Sequence, residues 1–214
     1  MIKSKIIAIF FIIFYVKISL FAQNQLVLDN SFKFKEGIFL NYDQVKSNQP
    51  IPKSNIISNI DKNSYNFFEI LFLEKQVDII NEEGKKEKYL IKDLWGYSDK
   101  GFLYVNYKNY TSQIHVLGAI CHFMATEEVY TGYTSTYYES FSSPTTTIVN
   151  YQAIMDFETG NIMPLNISNL TSILAKDTEI TKEWSDLSKN KKKKQMFVFI
   201  QKYNQKNPVY IQSN

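Results

Sequence analysis

Three short stretches constrain this chain more than anything else in it: Glu82-Glu83-Gly84-Lys85, Asp99-Lys100-Gly101 and Glu158-Thr159-Gly160-Asn161. Each places a glycine, which reaches positive φ without a steric penalty, between two apolar or aromatic runs. The first joins Gln76 to Asn81 with Lys88 to Ile91. The second joins Leu94 to Ser98 with Phe102 to Tyr107. The third joins Ile148 to Phe157 with Ile162 to Leu165. Consecutive hairpins make antiparallel neighbours. Gly37 to Leu40, Tyr65 to Leu73 (YNFFEILFL) and Ile114 to Thr126 also read as strands on β-branched and aromatic content. An antiparallel, curved sheet of roughly six to eight strands is expected.

The period changes after Leu165. Asn166 or Ser168 can cap a helix carrying Leu170, Ile173 and Leu174. Asp177 can cap a second, with Ile180, Trp184 and Leu187 on one face, and a third is expected over Lys191 to Gln205. Before the sheet, Asn24 to Phe34 reads as a lead-in. Asn41 to Gln49 reads as a turn or short helix stopped by Pro50 and Pro52. The fold class is therefore α+β, one domain over residues 23–214, mainly β over 23–165 and mainly helical over 166–207, with the helices packed on the sheet.

The first residues have another reading. Lys3 and Lys5 precede the apolar run Ile6 to Val16, and Ala22 precedes polar Gln23-Asn24-Gln25. That order is expected of a signal peptide over residues 1–22, which makes the protein exported, to the periplasm or the exterior. A membrane association is expected only if this segment is retained. Loss of Lys3, Lys5 and Lys17 takes the 24 lysines to 21, against 21 acids. The basic excess is thus a targeting feature, and no nucleic-acid partner is expected. No residue is arginine, which removes bidentate recognition of phosphate. The lysine run Lys189 to Lys194 suits an anionic surface or a solvated helix end. Lysines in a first helical turn oppose its dipole, so the run is expected inside a longer helix or in the bend before it.

All the imidazole and thiol chemistry lies in IHVLGAICHFMAT, Ile114 to Thr126. Read as one strand, His115 and Cys121 are six residues and about 20 Å apart, and His122 faces away from Cys121. No Cys–His nucleophile and no metal site forms in that geometry, so the stretch is expected to be core. No cofactor is expected either. The single cysteine excludes an internal disulfide. No phosphate-cradling glycine loop and no Gly-x-Ser-x-Gly elbow occurs. Asp156 and Glu158 merely bracket a turn.

Tyr130 to Thr147 (YTGYTSTYYESFSSPTTT) is different. Fourteen of its 18 residues are Ser, Thr or Tyr, too few of them aliphatic to build core. Long connections are often functional, and Tyr among Ser and Gly is the mixture of antibody-like binding loops. Tyr133, Tyr137, Tyr138 and Phe141 are the candidate contact residues, for an envelope protein or a glycan.

The segments EGIFLNYDQVKSNQP, LWGYSDKGFLYVNY, MDFETGNIMPL and QKYNQKNPVY, in this order behind a signal-like N-terminus, resemble a family of uncharacterised exported bacterial proteins. The resemblance implies export and a single domain, and carries no activity or site residues. The expectation is an exported, non-enzymatic binding module using the Tyr-rich loop. The alternative is a hydrolase of envelope or extracellular polymer, whose paired carboxylates come from distant parts of the chain.

Overall fold

The computed structural model describes residues 25–81, 83–134 and 143–212; of residues 133, 134, 143 and 144 it describes the backbone alone. The expected cleavage point at Ala22 lies outside them. The fold is α+β, with a slightly curved, open antiparallel sheet. Seven strands lie in the order β11-β10-β9-β8-β7-β6-β2: Ile162–Pro164, Ser143–Asp156, Ile120–Thr134, Tyr110–Val116, Phe102–Tyr107, Gly96–Asp99 and Gly37–Phe39. A smaller sheet pairs β3 (Ile56–Ile57), β4 (Gln76–Ile80) and β5 (Lys86–Leu90), and a ribbon pairs β1 (Gln25–Val27) with β12 (Tyr210–Gln212). The helices are α1 (Tyr42–Ser47), α2 (Phe67–Leu71), α3 (Ile167–Leu174), α4 (Thr178–Ser185) and α5 (Lys189–Lys206).

The turns behave as their chemistry requires. Lys100 and Gly101 take φ of 52° and 83° while Asp99 pairs with Phe102, a two-residue hairpin turn with both central residues left-handed. Lys108 and Asn109, at 54° and 67°, repeat that turn between Tyr107 and Tyr110. This second turn starts β8 at Tyr110, earlier than the apolar residues alone suggest.

Two expected strands are corrected. Tyr65 to Leu73 holds the helix α2. Its buried positions, Phe67, Phe68, Leu71 and Phe72, recur one and four apart, a helical stripe, while Glu69 and Leu73 face solvent. Aromatic content favoured a strand; the packing of these side chains against Tyr97, Val77 and Ile79 decides for the helix. Ile114 to Thr126 is the end of β8, a turn at Leu117 to Ala119, and the start of β9. Gly118 (φ 153°) makes the reversal possible. The amide of Asn204 on α5 closes over it: the Ile120 N–H donates to Oδ1 at 2.7 Å, and Nδ2 donates to the Ile120 carbonyl at 2.9 Å.

The sheet is packed on both faces, unequally. One face sends Leu103, Val105, Ile114, Cys121, Phe123, Ala125, Ala153 and Met155 against Leu28, Phe32 and Phe34 of the lead-in, Val45 of α1 and Ile211 of β12. The other face carries two separate layers. At the β2–β6 end, Ile38 and Tyr97 pack on α2 and the small sheet through Phe68, Leu71, Val77 and Ile79. At the β9–β10 end, Ile120 and Ile154 pack on α3 to α5 through Leu170, Leu174, Ile180, Trp184, Phe199 and Ile200. Burying such side chains contributes roughly 1.5–3 kcal/mol each. Trp184 satisfies its indole N–H by donating to Thr171 Oγ1 at 2.7 Å.

The expected helix starts are present. Asn166 accepts the Asn169 N–H at 2.9 Å. Asp177 accepts the N–H groups of Glu179 and Ile180, each at 3.1 Å. The lysine run departs from expectation. Lys189 opens α5, Ser188 is an N-cap without a side-chain bond, and no acid occupies the first turn. The packing of Phe199, Ile200 and Tyr203 outweighs the dipole, which is worth roughly 0.3–1 kcal/mol per charge.

Candidate functional site

The reactive-looking residues sit in surroundings that disarm them. Cys121 is fully buried, and burial pushes its thiol up to about 12, so no thiolate forms near neutrality. His122 points to the opposite face, edge-on to the Phe197 ring at 4.8 Å. Its Nε2 is buried without a hydrogen-bond partner among the described residues. Burial, and then neighbouring His115, hold His122 below its ordinary value against an opposing bond with Gln152. The hairpin thus brings His115 and His122 together, contrary to their separation along a single strand. Val116 pairs with His122, and exposed His115 occupies the register shift beside it. They still recruit nothing: among the described residues, no three His, Cys, Asp or Glu groups gather as for a metal ion. Asp156 and Glu158 both bind Lys176, at 2.8 and 2.6 Å, a clamp between the β10–β11 turn and the end of α3.

The Tyr-rich segment is the far half of a long ribbon. β9 has 15 residues and β10 has 14, whereas β11 pairs only with Ala153 to Met155 and β8 begins at Tyr110. Among the described residues, Glu128 to Thr134 and Ser143 to Ile148 pair only with each other. A register shift between Thr145 and Thr146, opposite Tyr130 to Gly132, bends the ribbon there. Its surface is hydroxyl-rich and open, with Tyr130 52% and Ile148 61% exposed. At its root Lys108 pairs with Glu127, which also accepts from the Tyr151 hydroxyl at 3.2 Å. Of the candidate contact residues, Tyr133 lies in β9, paired with Pro144. Tyr137, Tyr138 and Phe141 lie outside the described residues.

A second feature was not singled out from the sequence. On the face of the sheet that carries α2, between α2 and strands β6 to β8, lies a cleft of about 440 Å³. Its floor is one face of β6, β7 and β8: Tyr97 and Asp99, Phe102 and Tyr104, Thr111 and Gln113. These alternate along each strand, and Asp99 pairs with Phe102, Tyr97 with Tyr104 and Tyr104 with Gln113, so period-two geometry puts them together. The wall is Tyr65, Asn66 and Glu69 at the start of α2, and Lys100 closes the end. Phe68, Tyr97 and Tyr104 form a column of near-parallel rings, 5.4 Å and 4.6 Å between centroids. Burial raises both tyrosine hydroxyls, with Tyr104, Glu69 and Asp99 adding to it at Tyr97, and Asp99, Tyr65 and Glu69 at Tyr104. Both stay protonated donors at any ordinary pH. Lys100 is spoken for: its ammonium lies 3.1 Å from the Tyr65 ring centroid, donates to the Tyr65 carbonyl at 3.1 Å, and sits 3.5 Å from Asp99. The residues were legible as i, i+2 pairs, but only the second hairpin turn, at Lys108-Asn109, sets Gln113 opposite Tyr104.

Comparison with protein-family models, with curated proteins and with solved structures finds no match to this chain. The functional reading therefore rests on geometry and chemistry. Among the described residues, no helix is long and apolar enough to cross a membrane.

Proposed function

We propose that the protein is an exported, non-enzymatic binding module that contacts an envelope protein or a glycan through the β9–β10 ribbon. One observation carries this reading: both strands continue past their sheet neighbours, clothed in Thr, Ser and Tyr and covered by neither packing layer. A ribbon of this kind contributes little core, while rigid aromatic side chains on it offer contact area at small entropic cost. Export rests on the N-terminal charge and apolar pattern. The test is crosslinking on intact envelopes. Tyr137→Ala/Tyr138→Ala should abolish crosslinked partners while the melting curve stays unchanged; partners retained at full yield would end the proposal. Sequencing of the exported product should start at Gln23, and a start at Met1 would count against export by cleavage.

A second reading, hydrolysis of an envelope polymer, is favoured by the cleft, which brings Glu69 and Asp99 together across one cavity. It requires the two carboxyl groups to stand roughly 5–10 Å apart across a scissile bond. Glu69→Gln and Asp99→Asn should each abolish release of reducing ends; the absence of such release from the parent chain would exclude this reading.

A further inference from the structure

We propose that the cleft between α2 and strands β6 to β8 binds a neutral saccharide chain, independently of the ribbon. A pyranose ring presents two kinds of surface. Its flat faces carry C–H groups, and its rim carries hydroxyls that each need a hydrogen-bond partner once water is displaced. The cleft supplies both kinds of partner, rings on its floor and wall and polar side chains around them. Tyr104 ends the column of parallel rings and is only half-buried; Tyr65, at 82% exposed, and Phe102 add aromatic surface. Asn66, Glu69, Asp99, Thr111 and Gln113 surround these rings with donors and acceptors. A mostly formed cavity with a few convergent polar groups is the usual form of a small-ligand site.

Charge narrows the class. The lining contains Glu69 and Asp99 against Lys100 alone, and that ammonium is already engaged by Asp99 and Tyr65. Beside the lining, the Lys33 ammonium lies over the Phe102 ring at 4.3 Å. The lining itself sets two carboxylates against one engaged lysine, so an uncharged chain fits it better than a phosphate, sulfate or uronate. A peptide adding as an extra strand is disfavoured for a different reason. The floor strands β6, β7 and β8 each have a neighbour on both sides, so no strand edge is open to it.

The test uses the purified chain with soluble hexasaccharides of β-1,4-linked glucose and of β-1,4-linked N-acetylglucosamine. Binding is read by titration calorimetry and by saturation transfer to the sugar protons. At least one hexasaccharide should bind, and Tyr65→Ala and Gln113→Ala should each weaken it about three- to tenfold, the size of one lost aromatic or hydrogen-bonded contact. Both side chains sit at or near the surface, so far-UV circular dichroism should be unaltered. Tyr137→Ala/Tyr138→Ala should leave this affinity intact, which separates the cleft from the ribbon. No binding of either sugar up to about 10 mM would overturn the proposal. So would unchanged affinity in both cleft variants, or preference for a polygalacturonate hexamer over the neutral chains. Shortening of the sugar during titration would support saccharide binding and the hydrolytic reading together; binding without shortening supports the former alone.

Discussion

Gly118→Ala should be among the most damaging single-methyl changes in this protein, and the damage should run through Asn204. Gly118 has φ of 153°, a conformation costly to any side chain, and a Cβ built there meets Asn204 Nδ2 at 2.4 Å and Cγ at 2.5 Å. That amide is not free to retreat, because it holds both the N–H and the carbonyl of Ile120. The backbone strain costs roughly 1–3 kcal/mol. Expelling the amide loses two hydrogen bonds at about 1 kcal/mol each and leaves the Ile120 groups unpaired. The total is about 3–5 kcal/mol, a large part of the 5–15 kcal/mol that a domain has. Asn204→Ala should cost about 2 kcal/mol alone and close to nothing when added to Gly118→Ala, because its bonds are already broken. Urea unfolding followed by the fluorescence of Trp95 and Trp184, with slopes compared to confirm two-state behaviour, measures all three variants. Strict additivity in the double variant would show that the methyl acts elsewhere and refute the coupling.

Three further outcomes are expected. The folded state holds His122 below its ordinary value, so the unfolded chain binds more protons and stability rises with pH through this range. The contribution is complete above about pH 6.5 and is lost as pH falls toward the folded value; His122→Leu should flatten that part of a urea-midpoint profile. Cys121 should ignore a water-soluble disulfide reagent in the native state and react fully after denaturation; rapid native labelling would show the burial to be wrong. Lys189→Glu should raise the unfolding free energy by roughly 0.3–1 kcal/mol, read from the urea midpoint at constant slope, by replacing an unfavourable charge in the first turn of α5. The gain should shrink in 1 M salt, where screening reaches within about 3 Å.

What could be read in advance follows the range of the forces. Hairpin turns at Asp99 to Phe102 and Glu158 to Asn161, caps at Asn166 and Asp177, and the core fate of Cys121 rest on backbone sterics, short hydrogen bonds and local polarity. These are written within a few residues. The helix α2 was obscured because the seven aromatic and aliphatic residues in YNFFEILFL suit either period, and only the layer it packs against chooses between them. The hairpin inside IHVLGAICHFMAT was obscured because a single glycine inside a strand pattern also signals a bulge. The partner that makes Gly118 a turn is Asn204, far along the chain.

The same division holds for the candidate sites. Composition alone marks the Tyr, Ser and Thr-rich ribbon as material unsuited to a core, since too little apolar surface is present there to repay ordering. The cleft exists only in three dimensions. Its floor is legible as alternation along β6, β7 and β8, yet α2 and the C-terminal helices bury different ends of one sheet face. The cleft is bounded by where α2 settles on that face, which Phe68 and Leu71 decide by packing on Tyr97, Val77 and Ile79. Local sequence sets which backbone conformations are affordable; burial summed over residues distant in the chain decides which surfaces remain open to a ligand.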